Sequence, residues 1–478
     1  MNAALIIIFL MIVFSSAVGV YAGKRLKMNL EEWAVGGRKF GVILIWLLMA
    51  GEIYTTFTFL GASGWAYSKG GPVFYILIYG TLAYIFSYFL LPPLWRMGKK
   101  YGFQTQPDFF IKRYDSRALG VFVALVGFFS IVPYLQLQLA GLGFIVRVAS
   151  HETIHENTAI LIAFLLTTAF VFTSGIRGAA WVAVIKDLMM IGVVGFVGLG
   201  VPIIYFGSYS NLFTQLIEKA PQHLTFPGAT TSMGVSWVMS TALMKGFGFY
   251  MWPHAMGSAF SAKSDSVIKR NAIIMPFYQL PLLMVFLVGF TAFLVLPHLE
   301  NGDMAFLELV KRTYPDWFLG VVGAAGALTA MVPSAILILF ASTMIAKNVY
   351  QTGFNPGARE GTVMRLSRAM VLIIAALALF FAIVVPNEIV RLLIVGYYGV
   401  TQFFPGVVFG LFWKRVTKTG IWAGLLAGVA IVLVLLITGN DPLWGLNAGI
   451  IALTANLFLA VSVSLLTSQK NPNASWEG

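Results

Sequence analysis

A chain of 478 residues that is 59% hydrophobic, with a mean hydropathy of +0.86 and only 10% charged residues, cannot hide its apolar surface in a water-soluble fold, where about a quarter of residues are charged. The net charge of +13 raises nucleic-acid binding, but the cations lie in short loops between apolar runs rather than on one basic face or tail, which excludes it. Cysteine is absent, which excludes disulfides and thiolate metal sites and leaves the redox compartment open.

The first apolar run, Ala4 to Tyr21, has no basic residue before it and Lys24, Arg25 and Lys27 after it, the pattern of a retained span rather than a cleaved leader. Further runs approach the ~20 residues that cross ~30 Å of hydrocarbon at ~1.5 Å per residue. The expected spans are 4–22, 40–66, 72–95, 118–147, 157–175, 179–206, 236–261, 272–297, 317–346, 368–386, 389–413, 419–438 and 445–467. The fold class is therefore an all-α polytopic membrane protein with about thirteen spans. Basic clusters recur around Lys24 to Lys39, Arg96 to Arg117, Lys263 to Arg270, Lys347 to Arg368 and Lys414 to Lys418. With the N-terminus outside and the C-terminus cytoplasmic, about 23 of the 31 Lys and Arg fall in inward loops,. The inner cell membrane is the expected location. The largest outward segment, Gly207 to Val235, carries a predicted short helix at Leu212 to Lys219. No extramembrane stretch exceeds about 30 residues, which leaves no room for a soluble catalytic or sensor domain, so the chain is no enzyme of ordinary design.

The second and seventh spans stand apart. One holds Gly51, Glu52, Tyr54, Thr55, Thr56, Thr58 and Gly61 in its middle; the other holds Lys245, Gly246, Gly248, Tyr250, Trp252, Pro253 and His254. Glycine, proline and polar side chains at mid-membrane depth suit a broken helix, whose freed backbone groups must face a cavity or a partner. The two spans lie five apart and run in opposite directions, which suggests two inverted five-helix repeats. The expected units are 1–39 (first span and basic loop), 40–206 (first repeat), 207–235 (outward loop), 236–413 (second repeat) and 414–478 (last two spans and inward tail).

Ionisable groups at mid-membrane cost ~2.5 to 3.5 kcal/mol each on insertion scales and so ask for a reason. Glu52 lies ~16 Å into its span at ~1.5 Å per residue, and Lys245, Lys186, Asp187 and His254 lie at comparable depth. Glu52 reads as a proton or substrate ligand, or as a structural partner of a lysine or of free amides. Lys245 reads as the counter-ion of an anionic solute, or as the partner of Glu52. His254 either lines the cavity or satisfies local backbone. Phe247, Phe249, Tyr250, Trp252, Tyr397 and Tyr398 could line or gate the site. Four of the five histidines, His151, His155, His223 and His298, fall in outward segments, against the paired intramembrane histidines of a haem subunit. A channel also uses broken helices, and saturable, accumulative uptake separates it from a carrier.

The run AVGGRKFGVILIWLLMAGEIYTTFTFLGASGWAYSKG from Ala34, the loop TQPDFFIKRYDS from Thr105 and GVTQFFPGVVFGLFWKRVTKTG from Gly399 resemble the second span, the loop after span 3 and the end of span 11 of the sodium:solute symporter family. The resemblance implies a leucine-transporter-type 5+5 inverted repeat, broken helices in spans 2 and 7, and alternating access. PYLQLQLAGLG from Pro133, AWVAVIKD from Ala180, MWPH from Met251 and TAMVPSA from Thr329 are most similar to bacterial monocarboxylate permeases. They imply a substrate set of Glu52, Thr55, Thr56, Gln136, Lys245, Phe249, Tyr250, Trp252 and His254, with a relative of another specificity (amino acid, sugar or vitamin) as the alternative.

In sodium-coupled members the ion sits between carbonyls of span 2 and two hydroxyl side chains of span 9. The carbonyl positions match Gly51 and Tyr54, but Val332 and Pro333 stand where the hydroxyls belong, leaving only Thr329 and Ser334 nearby. Lys186 precedes Asp187, which resembles the family's span-6 aspartate near that ion site. The implied coupling ion is therefore a proton exchanging at Lys186, with sodium at Gly51, Tyr54, Thr329 and Ser334 as the alternative. No cofactor, tightly bound metal or nucleic-acid partner is expected; the partners are a small solute and the bilayer, and a monomer suffices.

Overall fold

The computed structural model describes residues 2–23, 29–51, 53–386 and 388–467. Among these residues β structure is limited to two isolated bridges, Phe40 with Ala262 and Leu443 with Leu446. The helices are α1 (Ala3–Gly23), α2 (Leu30–Val35), α3 (Val42–Gly51), α4 (Ala62–Ser68), α5 (Tyr75–Tyr101), α6 (Gln106–Tyr114) and α7 (Arg117–Ala149). They continue with α8 (Glu156–Phe206), α9 (Tyr209–Lys219), α10 (Val235–Gly248), α11 (Pro253–Phe260), α12 (Asp265–Ile274), α13 (Leu280–Val295) and α14 (Ala305–Thr313). The last are α15 (Asp316–Thr343), α16 (Glu360–Val384), α17 (Ile389–Thr401), α18 (Phe404–Phe412), α19 (Lys418–Ile437) and α20 (Ala448–Thr467).

Polar residues mark the helix starts. Ser116, Ser208, Ser264 and Thr417 accept backbone N–H bonds from the first turns of α7, α9, α12 and α19, and Thr105 with Asp108 forms a capping box on α6,. Ten helical stretches among the described residues are long and apolar enough to cross a membrane. The other three expected spans fall on shorter pieces: 40–66 on α3 and α4, 236–261 on α10 and α11, and 157–175 on the start of α8.

At α8 the structure differs from the expected pair of separate spans, 157–175 and 179–206. Helical bonding runs unbroken from Glu156 to Phe206, which as a straight rod would measure ~76 Å at ~1.5 Å per residue. Phe170 and Val182, however, both lie within 3.4 Å of where a Cβ on Gly19 would stand. Twelve residues of straight helix separate side chains by ~18 Å, so the axis bends between them. Helical bonding carries through the bend because no proline interrupts residues 171 to 181, while Ser174, Gly175 and Gly178 lie within it,.

The core is α15, buried at every residue from Val322 to Thr343, as a helix apolar on all sides must be. Its small residues bring neighbours close: a Cβ on Gly320 would meet the Ala4 backbone at 2.8 Å, and one on Gly326 would meet Phe59 and Ile145 at 2.8 Å,. α15 thus packs against α1, α7 and α8. Outward from this core the bundle exposes Phe89, Phe129, Phe196, Leu433 and Leu466, a lipid-facing skin.

Candidate functional site

α3 stops at Gly51, and helical bonding resumes in a π-type turn at Phe57–Gly61 that leads into α4. In between, the Ile53 and Tyr54 amides both bond back to the Ala50 carbonyl, at 2.9 and 3.1 Å, which leaves the Gly51 and Tyr54 carbonyls to find other partners. Both accept from the Lys186 ammonium of α8, at 2.8 and 3.0 Å. The same ammonium meets the Asp187 carboxylate at 2.9 Å, and neither side chain has any exposed surface. Three oxygens thus match the three N–H donors of one ammonium. Tyr278 faces the same carboxylate from the turn before α13. A Cβ on Gly51 would stand 3.2 Å from the Lys186 nitrogen, so this position has little room for a side chain. The adjacency in sequence suggests an approximate pairing of Lys186 with Asp187; the structure gives a direct ion pair. Thr329 and Ser334 of α15 bond the Gly326 and Ala330 carbonyls of their own helix, at 2.6 and 2.7 Å, and Pro333 lies inside that helix, buried with its neighbours.

α10 ends at Gly248, a single turn covers Phe249–Met251, Trp252 is extended, and α11 begins at Pro253. Lys245, in the last turn of α10, is fully buried. It donates to the Tyr75 hydroxyl at 3.1 Å and sits 4.6 Å from the Phe57 ring centroid, 5.0 Å from Tyr75 and 4.9 Å from both Tyr79 and Tyr397. Such contacts are worth ~0.5–1 kcal/mol when exposed and ~2 or more when desolvated. No carboxylate among the described residues pairs with Lys245; Glu52, its expected partner, lies outside the described residues. Phe249 packs on Tyr79, Tyr84 and Tyr250 and lines a central cavity of only about 10 Å³ with Tyr54, Thr58 and Gln279. Trp252 packs on Tyr134, His254 and Tyr397. His254 Nδ1 is buried and makes no hydrogen bond among the described residues. The expectation that His254 satisfies local backbone is therefore not met at that nitrogen.

The polar residues of span 2 are tied to α7. Thr56 donates its hydroxyl to Gln138 Oε1 at 2.7 Å, and its amide reaches the same oxygen at 3.3 Å. Thr55 accepts from the Phe57 amide at 3.1 Å. Gln136, two residues away, is separate from this group: it donates to the Phe381 and Val385 carbonyls at the end of α16, at 3.1 and 2.6 Å. It lines a cavity of about 450 Å³ with Trp65, Asp303 and Glu388. On that face Glu388 holds Lys69 at 3.1 Å and Trp65 Nε1 at 3.3 Å. Asp303 accepts from the Ile389 amide at 3.0 Å; burial, and then the neighbouring Glu388 charge, push its carboxyl up to about 7,.

On the opposite face, polar side chains tie the elements together. Arg38 donates to the Phe103 and Phe260 carbonyls, at 2.5 and 3.3 Å, and Gln106 caps the freed Met251 carbonyl at 2.6 Å. Burial opposes the Asp108 charge, but Lys347 at 2.6 Å, with the Gln104 amide and Asn348, holds its carboxyl below the usual range. The sequence reading named none of Gln138, Tyr75, Tyr79, Arg38, Asp303 or Glu388 as site residues. Gln138 was visible in PYLQLQ, yet choosing between two glutamines on opposite helix faces needs the partner helix.

One helical interruption whose carbonyls hold buried Lys186, and a second that follows buried Lys245 by one turn, suit binding and release of a small solute rather than covalent chemistry. Residues 33–428 match the family model described as the sodium:solute symporter family. The chain belongs to that family. It is a symporter of small solutes held in a membrane, and its relatives are transporters rather than enzymes. It is 46% identical to the uncharacterized symporter YhjB of Bacillus subtilis (strain 168), over 99% of both chains. It is 28% identical to the monocarboxylate transport permease protein of Rhizobium johnstonii, over 98% of both. In fold it is similar to a Na+-coupled sialic acid symporter solved in a substrate-bound outward-open state, with a TM-score of 0.81, 18% identity and 98% of both chains covered.

Proposed function

We propose that this protein is a proton-coupled symporter of a small monocarboxylate that works by alternating access. The observation behind it is the seat of Lys186, whose ammonium takes the Gly51 and Tyr54 carbonyls and the Asp187 carboxylate. These are oxygens that a sodium ion, as a hard cation, would require. With Thr329 and Ser334 turned to their own helix, the site offers an ammonium in place of an ion shell. Release and recapture of a proton at Lys186 make and break the ties between α8 and span 2, which links protonation to the position of the broken span.

The substrate carboxylate pairs with Lys245. One of its three donors goes to Tyr75, and a carboxylate supplies the countercharge that burial of an ammonium requires. The monocarboxylate permease of Rhizobium johnstonii, alike along its whole length, supports this substrate class. The remaining expected ligands among the described residues, Thr55, Thr56, Gln136, Phe249, Tyr250, Trp252 and His254, surround or lead to that position, and Glu52 completes the proposed set. Architecturally, spans 2 and 7 are discontinuous helices, and thirteen crossings form repeats 40–206 and 236–413. The N-terminus and the 450 Å³ cavity lie outside the inner membrane, and one chain suffices. The closed centre and the Arg38 and Asp108 ties then describe an occluded state sealed on the inside.

The test is uptake of labelled lactate into proteoliposomes, with pyruvate, acetate, propionate, sugars and neutral amino acids as competitors. Lys245→Met should raise KM ~10- to 150-fold, the loss of a charge-assisted contact of ~1.5–3 kcal/mol. Competition by sugars or amino acids but not by monocarboxylates would overturn the assignment.

A further inference from the structure

A second cavity, of about 220 Å³, opens on the Glu388 face and is lined by Trp65, Lys69, Trp237, Glu388, Arg391, Tyr398 and Asp441, among others. It is smaller than the ~300–1,000 Å³ that house drug-sized ligands, a size for a solute of a few heavy atoms.

The two cations and two carboxylates around this cavity cancel in number but are not all paired with one another. Glu388 is held by Lys69 and Trp65. Asp441 is held by the Tyr398 hydroxyl and by the Ala448 amide at 3.1 Å. Arg391 has no ion pair or hydrogen bond among the described residues and is exposed to the cavity. Its guanidinium is a forked donor matched to carboxylate geometry. Trp237 is 4% exposed, and its indole N–H also makes no hydrogen bond among the described residues. A guanidinium without an ion pair and an indole N–H without a hydrogen bond among the described residues, on one small cavity, make the anion site.

The floor of that cavity leads to the centre. Trp65 and Trp237 pack at 5.9 Å, and each packs on Tyr75, at 5.9 and 5.5 Å. Tyr75 is the residue whose hydroxyl takes the Lys245 ammonium. Among the described residues this aromatic group touches both the cavity that Arg391 lines and, through Tyr75, Lys245.

We propose that the cavity is a second carboxylate site, where the monocarboxylate is held by Arg391 and Trp237 before it passes the aromatic group to Lys245. The inference rests on the monocarboxylate reading above. The site is weak and salt-sensitive, because Arg391 faces solvent, and its work is to gather the anion and strip part of its water. Bulkier anions are selected against here by the cavity walls.

Saturation-transfer NMR on the propionate methyl group, with protein in nanodiscs, separates the two sites. In Lys245→Met a residual, salt-sensitive signal should persist, and adding Arg391→Gln should remove it. In transport, Arg391→Gln alone should raise KM about 5-fold more than it lowers kcat, with Arg391→Lys recovering about half of that loss; Arg391 is exposed, so folding is not at stake. Wild-type binding that vanishes wholly in Lys245→Met, a residual signal that survives Arg391→Gln, or an unchanged KM overturns the outer site and leaves the central one standing. Absence of any propionate signal in the wild type overturns the substrate assignment itself.

Discussion

Replacing Lys186 by Met keeps much of the side chain's volume and removes its charge. The substitution leaves Asp187 as a buried carboxylate without its 2.9 Å partner and frees the Gly51 and Tyr54 carbonyls. Breaking one side of a buried ion pair costs ~3–5 kcal/mol. At ~2.1 cal/mol/K of unfolding entropy per residue, a chain of this length loses roughly 1 °C of Tm per kcal/mol, so a fall of about 3–5 °C is expected. The vacated oxygens form a site for a hard cation. Sodium at ~100 times its Kd should therefore return ~2.7 kcal/mol, or most of the loss. The assay is thermal unfolding of purified wild type and variant in sodium chloride, potassium chloride and choline chloride. Sodium should stabilise the variant and leave the wild type unmoved. A wild type stabilised by sodium as strongly as the variant would refute the reasoning, because its ammonium would then not be standing in for the ion.

Gly51→Ala places a methyl 3.2 Å from the Lys186 nitrogen and should slow uptake at least several-fold while leaving expression intact, measured as kcat in proteoliposomes against protein yield. The Asp303 carboxyl titrates near 7 in the folded protein against ~3.9 when unfolded. The native state therefore binds this proton more tightly, and stability falls as pH rises from about 4 to 7 and levels off above. Asp303→Asn, followed by thermal melts across that range, should flatten the slope; an unchanged slope assigns it to another group. Arg38→Ala removes the tie between the Phe103 and Phe260 carbonyls and should expose the inner half of span 7. Because the chain has no cysteine, an Ala255→Cys reporter carries the only thiol; its maleimide labelling should quicken ~10-fold in the Arg38→Ala background, a shift of ~1.4 kcal/mol in opening, and equal rates would count against the latch.

Much of this was legible in the sequence because bilayer physics is local. Twenty apolar residues spell a span wherever they fall, and a lysine at mid-span signals cost whatever surrounds it. Lys186 with Asp187 could be singled out for that reason, and their carbonyl partners followed from the resemblance of span 2. What could not be read is which side chains meet across the bundle. The cage around Lys245 draws Phe57 from span 2, Tyr75 and Tyr79 from α5 and Tyr397 from α17, and no periodicity in any one helix encodes that meeting. Gln136 and Gln138 differ by two positions and so by more than half a helical turn; the sequence favoured the first, while Thr56 is bound by the second. At α8 the sequence suggests a break between 175 and 179, beside Ser174, Gly175 and Gly178, within the stretch where the axis bends; what it could not show is that helical bonding carries through the bend,.

The central claim, that an ammonium at Lys186 replaces the coupling ion, is tested most directly by uptake of labelled lactate into proteoliposomes under one imposed gradient at a time. An inward proton gradient without sodium should drive accumulation that Lys186→Ala abolishes or uncouples, and an inward sodium gradient at equal pH should drive none. Strict sodium dependence, with Lys186→Ala behaving as wild type, would contradict it.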